Sequence, residues 1–148
     1  MNNITAETQR TQRIEVNELT QKIIGSAIEV HKALGPGLLE SSYEECLCKE
    51  MSMRQIPYER QKHLPLNYNG VNIDCRYRLD LLVNDLVVVE IKAIESILPI
   101  HEAQLLTYLK LGGWKVGLLI NFNVPLLKQG ICRLVFDLEE SQNSAPLR

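Results

Sequence analysis

Glu90-Ile91-Lys92 places a carboxylate and an amine in Leu86-Val87-Val88-Val89-Glu90-Ile91, a run that otherwise reads as a fully buried strand. By the two-residue period of a strand, Glu90 and Lys92 share one face, and Asp80 from the preceding strand can join them. Ionised groups in such a place are costly unless they are paired or metal-bound, so something must compensate them. Two carboxylates with water and phosphate oxygens suit Mg²⁺, which favours oxygen ligands and keeps several waters; Mn²⁺ accepts the same set. The Lys92 ammonium would orient or deprotonate an attacking water, or stabilise charge growing on a phosphorane-like transition state. That is the chemistry of phosphodiester hydrolysis. The competing account is a structural ion pair, Glu90 with Lys92 or Asp80 with Arg78.

Further groups stand near this pattern in sequence. Glu40 falls on the same side of its expected helix as the stripe Tyr43, Leu47 and Met51, where a carboxylate is expensive unless it meets a metal or hydrogen-bond donors. Its alternative role is to cap the helix start, near the positive end of the dipole. Tyr43 reads as core packing with its hydroxyl on a polar partner. His31 projects from an apolar face and reads as a satisfied core histidine, with ligand or proton-shuttle duty as the minor alternative. His101, Gln104 and Tyr108 are spaced i, i+3, i+7, one stripe of polar-capable groups beside the strand end of Glu90 and Lys92. Contact with a ligand held at the strand ends is one reading; a sheet-edge cap, an amphipathic core tyrosine and a surface histidine are the other.

The elements that must position these groups follow from periodicity. From Asn17, a plausible N-cap, Leu19, Ile23, Ala27, Val30 and Leu34 make one helical face, ended by Gly35-Pro36-Gly37. A second helix is expected over Leu39 to Arg54. Leu64, Leu66 and Tyr68 then alternate up to Asn69-Gly70, a strong hairpin signal, and Val71, Ile73, Cys75, Tyr77 and Leu79 alternate after it. A two-residue turn pairs Tyr68 with Val71 and Leu66 with Ile73, leaving Asp74, Arg76, Arg78 and Asp80 on the opposite face.

Parity constrains the next turn. A loop of Asn84-Asp85 alone would set Asp80 against Val89; an odd loop count or a bulge brings it to Glu90, and that arrangement is expected. A third helix over Ile100 to Leu111 and strands over Lys115 to Asn121 and Ile131 to Leu138 complete the order α-α-β-β-β-α-β-β. The result is an α/β fold, a mixed sheet flanked by helices, with strand, helix and strand forming a right-handed crossover.

The chain of 148 residues, 45% hydrophobic, suits one domain, expected over 17–138 between loose tails at 1–16 and 139–148. The polar stretch Met1 to Arg13 shows no secretion signal and no run reads as a membrane span, so a cytosolic compartment is expected. Cys46, Cys48, Cys75 and Cys132 form no CxxC pair and read as reduced thiols. A net charge of −2 argues against a histone-like coating role, though carboxylates gathered for a metal lower net charge themselves.

Tyr77-Arg78-Leu79-Asp80, Glu90-Ile91-Lys92 and Gln104-Leu105-Leu106-Thr107-Tyr108 resemble the D, ExK and QxxxY motifs of PD-(D/E)xK nucleases of the RecB and lambda-exonuclease type. Gly37-Leu38-Leu39-Glu40-Ser41-Ser42-Tyr43 resembles the motif of the GxxExxY proteins, a bacterial group within that superfamily. The resemblance runs from Asn17 to Leu138. It implies a restriction-endonuclease-like core and Mg²⁺ or Mn²⁺ held by Asp80 and Glu90. It makes Glu40 a further acidic ligand or water-binder and Lys92 the catalytic lysine. Gln104 and Tyr108 would steady the site or touch nucleic acid, DNA or RNA. Leu79 stands where the signature has Pro. The cysteines do not match the four-Cys arrangement of relatives that carry an iron-sulfur cluster, so no cluster is expected. Alternative expectations are a catalytically inactive, nucleic-acid-binding or regulatory protein on the same fold, and a structural subunit whose homodimer buries the edge strand near Ile131 to Leu138.

Overall fold

The computed structural model of the chain describes residues 5–137. The tail expected at 139–148 and Leu138 of the last expected strand lie outside them. Helix α1 (Ala6–Leu34) corrects the other expected tail, since it begins at Ala6 and not at Asn17. Residues 6–16 lack Gly and Pro and hold two each of the good helix formers Glu, Gln and Arg, and the Thr5 hydroxyl accepts the Thr8 N–H at 3.0 Å. That segment has no buried stripe, which is why hydrophobic periodicity did not register it. Further along, Leu19, Ile23, Ala27 and Val30 are buried as expected.

Helix α2 (Glu40–Met53) follows a turn that Tyr43 fastens to the core. Its ring stacks on Phe122 with centroids 4.5 Å apart, and its hydroxyl donates to the Gly35 carbonyl at 2.6 Å while accepting the Leu38 N–H at 3.1 Å. Tyr43, Leu47 and Met51 are all fully buried, as the i, i+4, i+8 stripe requires.

Strands β1 (Tyr58–Tyr68) and β2 (Val71–Val83) form the expected hairpin, with Tyr68 opposite Val71 and Leu66 opposite Ile73. Strand β3 (Val87–Lys92), helix α3 (Pro99–Gly112) and strand β4 (Val116–Asn121) follow. A 3-10 turn over Leu127–Gly130 leads into β5 (Ile131–Val135). The sheet order is β1-β2-β3-β4-β5; only β3 and β4 run parallel. One core lies between the sheet and α1 and α2, the other between the sheet and α3. With both faces covered, β3 and β4 are apolar throughout except where function intrudes.

The alternation in the hairpin does not mark a core face. Tyr68 is 65% exposed and Val71 60%, and Ile73 and Tyr77 are exposed too. Length explains this: β1 and β2 have 11 and 13 residues against 6 in β3, and β2 pairs with β3 only from Leu81 to Val83. The outer hairpin therefore runs past the layers that would bury it.

Helix α3 is seated on β4 by the absence of a side chain at Gly117, where a Cβ would come within 2.9 Å of Leu105. Gly117→Val is expected to lower stability by about 1–3 kcal/mol through overpacking, read as a shifted urea midpoint with unchanged slope.

Candidate active site where β2 parts from β3

The pairing of Val83 with Val87 leaves Asn84, Asp85 and Leu86 as the loop, an odd count, with Asn84 and Asp85 at positive φ (49° and 56°). Asn and Asp tolerate that conformation, so this turn is written in the sequence. Continued past Leu81 and Val89, the register sets Asp80 opposite Glu90, as parity demanded.

At that point the ladder changes character. The Asp80 N–H donates to Glu90 Oε2 at 2.9 Å, and the Ile91 N–H donates to Asp80 Oδ2 at 2.8 Å. Each carboxylate thus replaces a carbonyl of the facing strand. On the other side of β2, Gln61 adopts φ 49°, and the pairing steps from Arg60 with Leu81 to Lys62 with Leu79. Leu81 faces the α1 and α2 core while Leu79 faces α3, so the strand turns over at Asp80.

Electrostatics mark the pair as strained by design. Burial pushes the Glu90 carboxyl up from 4.5 to about 8, with the nearby Asp80 adding to the rise and the Asp80 N–H and Lys92 opposing it. Asp80 is also raised, first by burial and then by Glu44 and Glu40, against the Ile91 N–H and Lys92. Neither proposed ion pair forms: among the described residues Lys92 has no carboxylate partner within 4.0 Å, and neither does Arg78. The Lys92 amine therefore acts on both acids through space and remains open to a ligand.

Glu44, which sequence reasoning passed over, is the other buried acid nearby, 8% exposed. Its oxygens are satisfied: Arg60 donates to Oε2 from Nε and Nη2 at 3.1 and 2.8 Å, and Gln61 to Oε1 at 2.9 Å. Its spacing of i+4 from Glu40 was the signal. Glu40 itself is exposed at the first turn of α2 and makes no side-chain cap bond, so it lies off the buried stripe where it was expected. It stands near enough to raise Asp80. Helix α2 turns Glu44 inward at the cost of leaving Glu40 at its rim.

On α3, Gln104 donates to the Tyr108 hydroxyl at 2.9 Å, and Tyr108 is buried with its ionisation suppressed by burial and by Glu90. These two reach the site. His101 does not look out with them: its Nδ1 accepts the Leu98 N–H at 2.9 Å, so the ring caps α3 and the expected continuous stripe is broken. His31 bonds the Val124 carbonyl through Nε2 at 2.8 Å, and Tyr43 is the core fastener described above; both are structural in this arrangement.

The donors fit an oxygen-seeking divalent ion in part. Asp80 and Glu90 each spend one oxygen on a backbone N–H, while Oδ1 and Oε1 have no protein partner among the described residues. No side-chain polar atom there is both buried and orphaned, so these two oxygens reach solvent. Two open carboxylate oxygens beside an unpaired amine suit Mg²⁺ with waters completing its shell. The expected set of three acids is not assembled: among the described residues no group of three His, Cys, Asp or Glu is close enough to hold an ion, because Glu40 stays at the rim.

Two outcomes follow. A carboxyl raised in the fold binds more protons folded than unfolded between its two pKa values, so stability falls as pH rises through that window. In chelator, the melting temperature is expected to fall from pH 4.5 to 8, and Glu90→Gln to flatten the profile. A flat wild-type profile would contradict the carboxylate pair. Glu44→Ala strips Arg60 of its buried partner and is expected to cost about 2 kcal/mol in urea unfolding.

A family model described as the PD-(D/E)XK nuclease superfamily matches residues 17–134. No curated protein and no solved structure matches the chain. The matched span runs from within α1 to within β5 and contains Asp80, Glu90, Lys92, Gln104 and Tyr108. The mixed five-stranded sheet flanked by helices is consistent with a restriction-endonuclease-like core. The parting of β2 from β3 around two acids and a lysine is thus set in a known protein framework, and the chain belongs to the PD-(D/E)XK nuclease superfamily.

Proposed function

We propose that the chain is a divalent-metal-dependent nuclease, hydrolysing phosphodiester bonds in DNA or RNA, and that it falls in the GxxExxY group of its superfamily. The observation that carries this is the open oxygen on each of Asp80 and Glu90 beside the unpaired Lys92. A bound Mg²⁺ or Mn²⁺ would supply Lewis acidity toward a phosphoryl oxygen and acidify a bound water. Asp80 and Glu90 would hold it. Their backbone donors, the N–H groups of Ile91 and Asp80, fix the carboxylates in orientation before any ligand arrives.

The Lys92 ammonium would orient the attacking water or stabilise charge on the phosphoryl oxygens, lowering the barrier by electrostatic complementarity. Glu40, solvent-exposed at the first turn of α2, would bind a water of the ion's shell. Gln104 and Tyr108 form a hydrogen-bonded wall that meets the backbone of the substrate. His101, through Nε2, offers a further contact at the start of α3.

A second reading, a nucleic-acid-binding or regulatory protein without chemistry, is favoured by the exposed position of Glu40 and the incomplete set of acids. Purified protein with Mg²⁺ or Mn²⁺ and labelled single- and double-stranded DNA and RNA separates the two. The nuclease reading expects cleavage, a rise in melting temperature with Mg²⁺ that Asp80→Asn abolishes, and at least ~100-fold slower cleavage in a folded Lys92→Ala variant. Binding without cleavage, and no thermal response to either ion, would decide for the second.

A further inference from the structure

The outer hairpin is the part of the molecule that no core explains. Its apolar residues Tyr68, Val71, Ile73 and Tyr77 are exposed, and a two-stranded ribbon beyond its sheet is marginal on its own. Between His63 and Arg78 the charged side chains are Asp74, Arg76 and Arg78. The Asp74 carboxylate accepts the N–H of Arg76 at 3.0 Å, while neither arginine has an ion-pair partner among the described residues. In a chain of net charge −2, this arm carries a local excess of positive charge.

Backbone strain adds a second sign. The register of β1 and β2 shifts between Leu64 and Leu66, and Arg76 sits at φ 58°. A non-glycine residue is strained there, and bulges of this kind re-aim side chains near functional sites. The arm is also continuous with the acids. The Tyr77 ring lies 6.1 Å from Tyr108, whose hydroxyl is held by Gln104, and β2 reaches Asp80 three residues later, ~10 Å at strand rise.

We propose that this arm seats an unpaired nucleic-acid strand leading to the Asp80–Glu90 site, with bases stacked on Tyr77 and Tyr68 and phosphates held by Arg76 and Arg78. The inference rests on the nuclease reading for the direction of the strand. Exposed aromatic faces serve any base, and guanidinium groups meet phosphate through paired N–H donors, the combination that binds single strands without a sequence code. A second copy of the chain is the rival occupant. Pairing two arms would bring Arg76 and Arg78 toward their own copies with only Asp74 to offset them, and it would leave the continuity with Tyr108 unexplained.

The test is fluorescence anisotropy of a labelled single-stranded oligonucleotide with the full chain in chelator, so that cleavage plays no part. Arg76→Gln with Arg78→Gln is expected to weaken binding about tenfold or more and to reduce the slope of log affinity against log salt by about 1.4. Tyr68→Ala with Tyr77→Ala should weaken it similarly, whereas Lys22→Gln with Lys32→Gln on α1 should leave it unchanged. The arginine pair is exposed, so its folding is secure and checked by an unaltered melting temperature. Unchanged binding in both arm variants overturns the proposal, as does equal affinity for duplex. So does a wild-type dimer that Val71→Ser with Ile73→Ser dissociates without affecting oligonucleotide binding. Binding through the arm with no cleavage in Mg²⁺ would sink the nuclease reading alone; cleavage with normal binding by the arm variants would sink the arm alone.

Discussion

Two carboxylates that stand in for ladder carbonyls determine how the site is built. A β-strand must satisfy every N–H it buries, and at Asp80 and Ile91 the acceptors are side chains of the facing strand. The exchange locks both acids into the sheet and parts the strands that carry them. It also holds both carboxyls under partial burial, which is the main reason both are raised, with Glu44 and Glu40 adding at Asp80, and Asp80 and Glu44 adding at Glu90. The odd loop at Asn84-Asp85-Leu86, the turnover of β2 opposite Gln61 and the shortness of β3 all serve that one juxtaposition.

The comparison with Glu44 shows what distinguishes a site from a scaffold. Glu44 is equally buried, yet Arg60 and Gln61 occupy both its oxygens and it has nothing left to offer. Asp80 and Glu90 are satisfied on one side only, by neutral donors that orient them without cancelling their charge. Lys92 is close enough to favour their ionised forms but too far to pair. A fully paired lysine would have been a structural element; this one retains its electrostatic reach for something that comes from outside.

Much of this was legible because turn chemistry and period leave marks in sequence. Asn69-Gly70 fixes the hairpin register, and the i, i+4, i+8 stripe of Tyr43, Leu47 and Met51 fixes the buried side of α2. Parity, once Asp80 and Glu90 are taken to share a face, called for an odd connection or a bulge before Glu90, and the loop is odd. Other features leave no such mark. Alternation in Val71, Ile73 and Tyr77 looks the same whether the apolar side meets a helix or solvent, since it records that one face differs and not what covers it. Whether Glu40 or Glu44 turns inward depends on how α2 lies against the sheet, a tertiary fact. The start of α1 rests on propensity and a threonine cap, which a search for burial overlooks. The capping bond of His101 is likewise local geometry that spacing cannot reveal.

Strand β2 joins opposite charges in one element. Its base carries the acid Asp80, and its outer half carries Arg76 and Arg78. A polyanion would be drawn to such an arm and repelled at the base, where Glu44 and Glu40 act on Asp80, and Asp80 and Glu44 act on Glu90. The arm would then supply capture but could not by itself bring a phosphate into contact with the carboxylates, since anionic groups in a partly desolvated gap repel strongly. A divalent cation held by Asp80 and Glu90 would reverse the sign of that last step and offset the cost of ionising Glu90. Strand capture and cation binding would then be linked through the same carboxylate pair, each making the other more favourable.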